Sequence, residues 1–472
     1  MSKPPFTHVH LIGIGGIHVS AVAKLLLRAG VRISGSDRMR SEITDELAKK
    51  GVDIQIGETP MALPPETDLI LYSSAVSEEH PERAAGREKG IRQLNSFQFL
   101  GEWTAERDVV LVTGTHGKST TTAMIGLTLA AAGLDPTVVV GSRVPGFPEG
   151  NVRHGLSSVW VIEGDEYAKH FLEFHPSAVV INNIEPDHFD VFPDEQTLLE
   201  AFRDLLKCVR KGGMVIANAD DPRVSTLIGE ERARLESQAI TIRTFGFGAH
   251  ADVQIADYGM RPGEQMCTWQ YGQGSVLRGS LSVPGRMNLM NATAAVTLCL
   301  ALQVAPDVIR TSLAGFTGIW RRFEKIAELG GVLVFSDYGH HPTAVRATLE
   351  AAKGFYPGRR IVLCFQPHHR HRTKRLFLDF IPSFDQADAI VLSEIYDVTG
   401  RDADVDADIS SQDLRDALAH HDADRFLSRP MEYASTPNKA LAILERWKKS
   451  GDVIIVMGAG DIYKIAGKII QT

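Results

Sequence analysis

The stretch 108–133 constrains this chain more than any other part of it. Asp108–Thr113 is an apolar, β-branched run, Gly114-Thr115-His116-Gly117 is a turn, and Lys118-Ser119 opens a run of good helix formers. That run closes at Gly133, a residue suited to a helix C-cap. A strand that feeds a glycine turn and then a helix N-terminus aims several backbone N–H groups at one point, and the helix dipole favours an anion there. Lys118 is placed to reach terminal phosphates, and the Ser119 hydroxyl to ligate Mg²⁺. The motif is the short form G-T-x-G-K-S. The longer G-x-x-x-x-G-K-[ST] would need glycine at 112, where valine stands. The hydroxyl run 119–122, with a strand before it and a helix after, still points to nucleotide binding.

A length of 472 residues predicts about three domains. Hydrophobic content of 44% and charge of 23% are those of a soluble globular chain. A net charge of −8 argues against a general nucleic-acid binder, so an anionic ligand must be held by local cations. Cys208, Cys267, Cys299 and Cys364 are scattered with no C-x-x-C pair, which predicts reduced thiols and a cytoplasmic protein. The start, with Gly13, Gly15 and Gly16 interrupting it, lacks the apolar length of a signal peptide, and no run is long enough to span a membrane.

The expected fold class is α/β in three domains, 1–104, 105–320 and 321–472, Rossmann-like at both ends and of the P-loop mononucleotide-binding type in the centre. In the first, His8–Ile12 reads as a strand, 13–16 as a turn, 17–29 as a helix closed by Gly30, and 31–34 as a second strand leading to Asp37. Asp37 stands 24 positions after Gly13, a spacing suited to a ribose hydroxyl. His18 occupies the third glycine position of G-x-G-x-x-G, which weakens the fit to NAD but leaves a diphosphate site at the helix N-terminus. Leu69–Tyr72 is a further strand, ending in Ser73-Ser74, small polar residues at the edge where open α/β sheets bind ligands.

In the central domain the runs 158–162 and Ala178–Ile181 end in Glu163-Gly164-Asp165-Glu166 and in Asn182-Asn183, the latter followed by Glu185 and Asp187-His188. Parallel strands ending together would bring Ser119, Glu163 and His188 to one sheet edge, a donor set admissible for Mg²⁺. The run 212–219 is another strand, 235–283 has β character with little chemistry, and a helix over 289–302 follows Pro284-Gly285. Asn288 and Asn291, three apart, can share one face of its first turn.

The last domain has four strand-like runs, 332–336, Ile361–Phe365, Ala389–Ser393 and Val453–Met457, with helical runs such as 343–353 and 438–449 between them. They lead to Asp337-Tyr338-Gly339-His340-His341-Pro342, to Gln366-Pro367-His368-His369-Arg370-His371-Arg372, to Glu394, and to Gly458-Ala459-Gly460-Asp461. A mainly parallel sheet with one functional edge follows. The adjacent His340 and His341 lack the i, i+4 spacing of a helical zinc pair, so hydrogen bonding is the expected use. The cationic run 368–375 after a buried strand suits phosphate or carboxylate.

Together these motifs resemble the Mur ligase family of bacterial cell-wall synthesis, over essentially the whole chain. The resemblance rests on Gly13–Gly16, Gly35-Ser36-Asp37, Gly114–Ser119, Glu163, Asp187-His188, Arg321-Arg322-Phe323 and Asp337–Pro342. It implies an ATP- and Mg²⁺-dependent enzyme that activates the lactyl carboxylate of UDP-N-acetylmuramate as an acyl phosphate and couples it to an amine. By the same resemblance Lys118, Glu163 and His188 carry the chemistry, and Ser119, Glu163 and His188 hold the metal. Gly114, Thr115, His116, Gly117, Lys118, Ser119, Thr120, Asn288, Asn291, Arg322 and Asp337 contact ATP. Gly13, Gly15, Gly16, Asp37, Ser73 and Ser74 hold the UDP-sugar, and Tyr338, His340, His341, His368 and Arg372 line the amino-acid end. The C-terminal motifs are similar to those of members that add L-alanine. The segments 164–167 and 183–194 look more like those of members that attach a ready-made murein tripeptide. Met287, His369 and His18-Val19 depart from the family pattern. The partners expected are these small molecules, with no nucleic acid and no membrane, for a monomer or weak homodimer. Two readings from other classes are an NAD-dependent oxidoreductase, from Gly13–Asp37, and a non-catalytic nucleotide-binding switch.

Overall fold

The computed structural model describes residues 4–58, 62–397 and 408–469, and these divide into two compact units. The first holds the described residues within 4–186, 191–254 and 293–312; the second holds those within 187–190, 255–292 and 313–469.

The first unit is built on two sheets. Short buried runs such as His8–Ile12 and Ala178–Ile181 make central parallel strands here. β1 (His8–Ile12), β2 (Arg32–Asp37), β3 (Asp53–Ile56), β4 (Leu69–Tyr72) and β5 (Arg92–Asn95) form a parallel sheet in the order β3-β2-β1-β4-β5. The order reverses at β1, so the crevice lies at the carboxyl end of β1, where the glycine turn begins. Helix α1 (Ile17–Arg28) follows that turn, and Gly30, at φ +76°, closes it. β2 runs to Asp37, three residues past its expected end. Gly35 pairs with Leu11 so closely that a Cβ there would sit 2.5 Å from the Leu11 carbonyl.

The second sheet contains β6 (Asp108–Thr113), β7 (Thr137–Val139), β8 (Val152–Arg153), β9 (Val159–Glu163), β10 (Ala178–Ile181), β11 (Met214–Asn218) and β12 (Thr241–Gly246). Their order is β12-β11-β10-β6-β9-β7-β8, and the start of β13 (Val253–Arg261) pairs beside β12. β6 is central and parallel to both neighbours, with Val112 opposite Glu163 and Thr113 opposite Ile181. One apolar core runs through both sheets, from Val9, Leu11 and Val22 through Phe97 and Phe99 to Leu111, Trp160 and Ile162. Polar clamps add to it. The buried Lys24 of α1 donates to the Glu149 carbonyl (2.7 Å) and to Asn151 Oδ1 (2.8 Å), while Asn151 Nδ2 donates to the Ile17 carbonyl (2.6 Å).

In the second unit, the rest of β13 with β14 (Glu264–Tyr271) and β15 (Ser275–Leu281) resolves the stretch that showed only β character in the sequence. The helix expected from 289 starts earlier and spans Arg286–Ala301, directly after Gly285 at φ +96°; its residues up to Ala292 belong to this unit and the rest to the first. The last sheet contains β16 (Glu324–Leu329), β17 (Val332–Asp337), β18 (Ile361–Phe365), β19 (Ala389–Ser393), β20 (Met431–Ala434) and β21 (Val453–Met457), in the order β16-β17-β21-β18-β19-β20. All pairs are parallel except β16–β17. Its two faces alternate strictly: Leu363, Phe365, Ile455 and Met457 enter one core, and Val362, Cys364, Ile454 and Val456 the other. β16 and β20 are edge strands whose residues, apart from the buried Ala434, are half-buried or exposed, so they carry no continuous apolar run to be read from sequence. The four cysteines are free, and burial pushes the thiols of Cys267, Cys299 and Cys364 up to about 12, so none is a nucleophile.

Candidate active site

The phosphate loop is set by its glycines. Gly114 has φ +129°, and a Cβ there would stand 2.8 Å from the Asn183 carbonyl; Gly117, at φ +82°, starts the helix Lys118–Ala131. The segment after β10 braces the turn from the side. Thr115 Oγ1 donates to the Glu185 carbonyl (2.9 Å) and accepts from the Glu185 N–H (2.8 Å), and the His116 N–H donates to Asn183 Oδ1 (2.8 Å). His116 Nε2 lies 2.8 Å from Glu185 Oε2. Asn183 and Glu185 were visible only as polar residues at a strand end. That they hold the loop's shape depends on β6 and β10 being neighbours.

Lys118 folds back over the loop. Its Nζ donates to the Gly114 carbonyl (2.8 Å) and to both oxygens of Glu166 (2.8 and 3.0 Å). Burial works against its charge, but Glu166 first, then Asp165 and Glu163, outweigh burial and hold the ammonium's pKa above the ordinary lysine value. Ser119 Oγ donates to Glu163 Oε1 (2.8 Å), and Glu163 Oε2 accepts from the Gly141 N–H (2.5 Å). Lys118, Ser119 and Glu163 are thus brought together as expected, and Glu166 is an added member that the spacing alone did not single out. His188 belongs to the second unit, where it has a left-handed backbone (φ +54°) and its N–H donates to the Asp187 carboxylate (2.7 Å). Thr120 lies buried in the first helical turn.

The glycine turn after β1 is also closed as its sequence suggests. Gly13 (φ +75°) and Ile14 donate their N–H groups to the Ser36 carbonyl. The Gly15 N–H donates to Asp37 Oδ2 (2.8 Å), and the Met39 N–H to Asp37 Oδ1 (3.1 Å). Asp37 therefore shapes the loop as well as facing it, and each oxygen keeps a lone pair for a hydroxyl donor. Ser73 packs on Gly13, at 3.1 Å from where a Cβ would stand, and Ser74 Oγ lies 2.8 Å from His170 Nε2.

His18 is where a third glycine would allow close packing. Its ring instead lies 4.1 Å from that of Phe97, which stacks on His170 at 4.3 Å and 8°. Burial lowers the His18 pKa to about 4, so the folded protein holds it neutral. Its folded value lies below the free value of 6.5, so the stability tied to His18 is complete above pH 6.5 and is lost as the pH falls towards 4. Replacing it, as His18→Phe, should flatten the fall in melting temperature between pH 7 and pH 4.5; an unchanged slope would remove His18 as a contributor.

In the second unit, Asn288 Nδ2 donates to the Pro284 carbonyl (2.7 Å) and Asn291 Nδ2 to Asn288 Oδ1 (3.3 Å), so the two asparagines do share a face. Asp337 accepts from the N–H groups of Phe323 (2.7 Å) and Gly339 (2.6 Å). Burial raises its pKa, against the pull of Arg322. Arg322 stands 4.9 Å over the Tyr338 ring. Arg321 is the buried member of the pair. It donates to the carbonyls of Gly458 and Gly460 and lies against the rings of Tyr463 (4.2 Å) and Tyr338 (4.8 Å). It ties the start of this domain to its last turn, a role the sequence did not distinguish from that of Arg322.

The amino-acid-end candidates form a second cluster. Arg372 Nε donates to Asp187 Oδ1 (2.7 Å) and its Nη1 to His368 Nδ1 (3.2 Å), while His340 Nε2 stands 3.9 Å from Asp187 Oδ2. Burial alone would raise the Asp187 pKa, but Arg372, His188 and His340 hold it well below the usual carboxylate range. Burial, and then Arg372, push the His340 pKa well below 6.5, so that ring is neutral at physiological pH. His341 has a local role as well. It is the N-cap of the helix Pro342–Phe355, its Nδ1 accepting from the Thr343 N–H (3.3 Å). Asp187 is the partner that sequence reading left without a role in this cluster.

Two glycine turns, one of them beside a lysine–carboxylate centre, and an arginine–carboxylate cluster on α/β sheets are the parts of an enzyme that handles phosphate groups. Family models match in three segments: the Mur ligase family catalytic domain over residues 8–108, the Mur ligase middle domain over 112–299, and the Mur ligase glutamate ligase domain over 321–460. The chain belongs to the Mur ligase family. It is 36% identical to the UDP-N-acetylmuramate–L-alanine ligase of Salinibacter ruber, over 98% of this chain and 94% of that one. It is also 36% identical to the same-named enzyme of Clostridium novyi, over 98% and 97%. Among solved structures it is similar to the UDP-N-acetylmuramate–alanine ligase of Thermotoga maritima, with TM-score 0.81 and 26% identity over 98% of both chains. A murein peptide ligase of Psychrobacter arcticus shares the fold, with TM-score 0.70 and 22% identity over 98% of both chains.

Proposed function

We propose that this chain is an ATP-dependent ligase that joins L-alanine to the lactyl carboxylate of UDP-N-acetylmuramate, a cytoplasmic step of peptidoglycan precursor synthesis. The observation that carries the reading is that Lys118, Ser119 and Glu163 converge at one helix N-terminus, in a chain alike over its length to relatives of that name. Among the described residues no helix is long and apolar enough to cross a membrane.

The sugar carboxylate attacks the γ-phosphorus of ATP, ADP leaves, and an acyl phosphate remains. The alanine amine then adds to the acyl carbon, loses a proton, and the tetrahedral adduct expels inorganic phosphate. Such a reaction asks the protein for positioning and charge stabilisation rather than a covalent nucleophile. Lys118 supplies the charge at the transferring phosphoryl group. The diphosphate of the sugar nucleotide rests on the turn Gly13, Gly15 and Gly16, with Asp37, Ser73 and Ser74 around it. Asn288, Asn291, Arg322 and Asp337 serve ATP, and Tyr338, His340, His341, His368 and Arg372 the amino acid. The hydroxyl of Ser119 and the carboxylate of Glu163, hard oxygen donors 2.8 Å apart, fit Mg²⁺. When bound, Mg²⁺ neutralises phosphate charge.

The segments 164–167 and 183–194 favour a second reading, in which the amine comes from a murein tripeptide. One assay separates the two: phosphate release from ATP and UDP-N-acetylmuramate, compared for L-alanine, glycine, L-serine and the tripeptide. L-Alanine should exceed the others in kcat/KM by at least about tenfold. A preference for the tripeptide selects the second reading, and no release with any amine overturns both.

A further inference from the structure

One short segment of the first unit reaches from Lys118, at the phosphate loop, to Ser74, at the carboxyl end of β4. It begins where β9 ends, and two 3₁₀ turns within Tyr167–Glu173 are joined by Ala168 and Lys169, both left-handed at φ +49° and +58°. Neither is glycine, so each is held in a conformation that side chains disfavour, and a consecutive pair is rarer still. The segment is closed on itself: the Lys169 N–H donates to the Glu166 carbonyl (2.9 Å), the Phe171 N–H to the Asp165 carbonyl (3.0 Å), and the Tyr167 N–H to Asp165 Oδ1 (3.1 Å). At one end Glu166 holds the Lys118 ammonium at 2.8 Å. At the other, His170 lies 2.8 Å from the Ser74 hydroxyl and stacks on Phe97. Behind it the chain at Glu173 presses on Gly101 so closely that any Cβ there would collide with the Glu173 carbonyl.

We propose that the turn 166–170 is a positioning element that ties occupancy of the sugar-nucleotide loop, sensed by His170 through Ser74, to the aim of the Lys118 ammonium, held by Glu166. A closed turn with strained backbone at its centre and fixed contacts at both ends passes on a displacement instead of absorbing it. The contact set is reciprocal, so a nucleotide that draws on Lys118 shifts Glu166 and, through the same turn, His170 and Ser74. The inference rests on the ligase reading for the identity of its two ligands.

The experiment is calorimetric titration of the full chain with UDP-N-acetylmuramate, alone and in the presence of a non-hydrolysable ATP analogue with Mg²⁺. The wild type should bind the sugar nucleotide at least about fivefold more tightly with the analogue present. His170→Phe keeps a ring on Phe97 but loses the Ser74 contact. It should bring that factor to within about twofold of unity and leave the analogue's own affinity within about twofold. His170→Gln, which can still reach a hydroxyl, should recover part of the coupling. The double substitution Ala168→Gly with Lys169→Gly removes the backbone strain without touching either contact, and should also reduce the factor. A wild type that binds both ligands independently, or coupling unchanged in both His170→Phe and the double glycine variant, overturns the inference alone. A wild type that binds neither ligand and releases no phosphate overturns the ligase reading, and this inference with it.

Discussion

Lys118→Ala will lower ATP-driven phosphate release by about a thousandfold or more, while the affinity for UDP-N-acetylmuramate stays within about threefold. The loss is large because this ammonium is the charge aimed at the phosphate loop by two carbonyls and a carboxylate. The substitution also leaves Glu166, 2% exposed, without its cation, a change that costs about 3 kcal/mol or more of stability in buried pairs. Chemistry and folding therefore have to be separated. Lys118→Ala with Glu166→Gln removes the orphaned charge and should restore much of the melting temperature without restoring turnover. Phosphate release near the wild-type rate in the single variant would take Lys118 out of the chemistry.

Arg372→Ala will raise the KM for the amino acid by roughly a hundredfold, with a much smaller effect on the KM for ATP. Arg372 is 9% and Asp187 6% exposed, so the pair is buried, and loss of the guanidinium from Asp187 should cost about 3 kcal/mol in thermal or denaturant unfolding. The pH dependence carries a sign. In the wild type the folded Asp187 pKa lies below its free value of 3.8. Its contribution is therefore present above that value and lost as the pH falls through the lower folded one. Without Arg372, burial is the leading influence and moves the Asp187 pKa up, so the acid-side loss begins at a higher pH. A selective effect on ATP would assign Arg372 to a different site, and an unchanged acid limb would deny the pairing a role in stability.

How far the sequence reaches can be judged strand by strand. Asp108–Thr113, Ala178–Ile181, Ile361–Phe365 and Val453–Met457 were legible residue for residue. Each is a short buried run bounded by turn residues, the pattern that a central parallel strand must show. The edge strands β16 and β20 were not legible, because one side of each is free to carry polar residues. In the sites the division is similar. Gly114, Gly117, Lys118 and Ser119 declare themselves because backbone geometry and charge at a helix start demand those residue types in that order. Glu166 on Lys118, His170 on Ser74 and Asp187 on Arg372 did not, being separated by 48, 96 and 185 positions. No local spacing rule reaches across such gaps. His341 carries a role that the sequence did not show: its Nδ1 caps the helix Pro342–Phe355.

The sequence by itself determined the α/β class, the two glycine loops and the residue types able to meet phosphate, because dihedral freedom, hydrophobic period and charge are properties of neighbours along the chain. Only the tertiary structure decided which carboxylate holds which cation, and which histidines stay neutral. Those outcomes depend on burial and on distances across strands, and neither quantity exists until the sheets have formed.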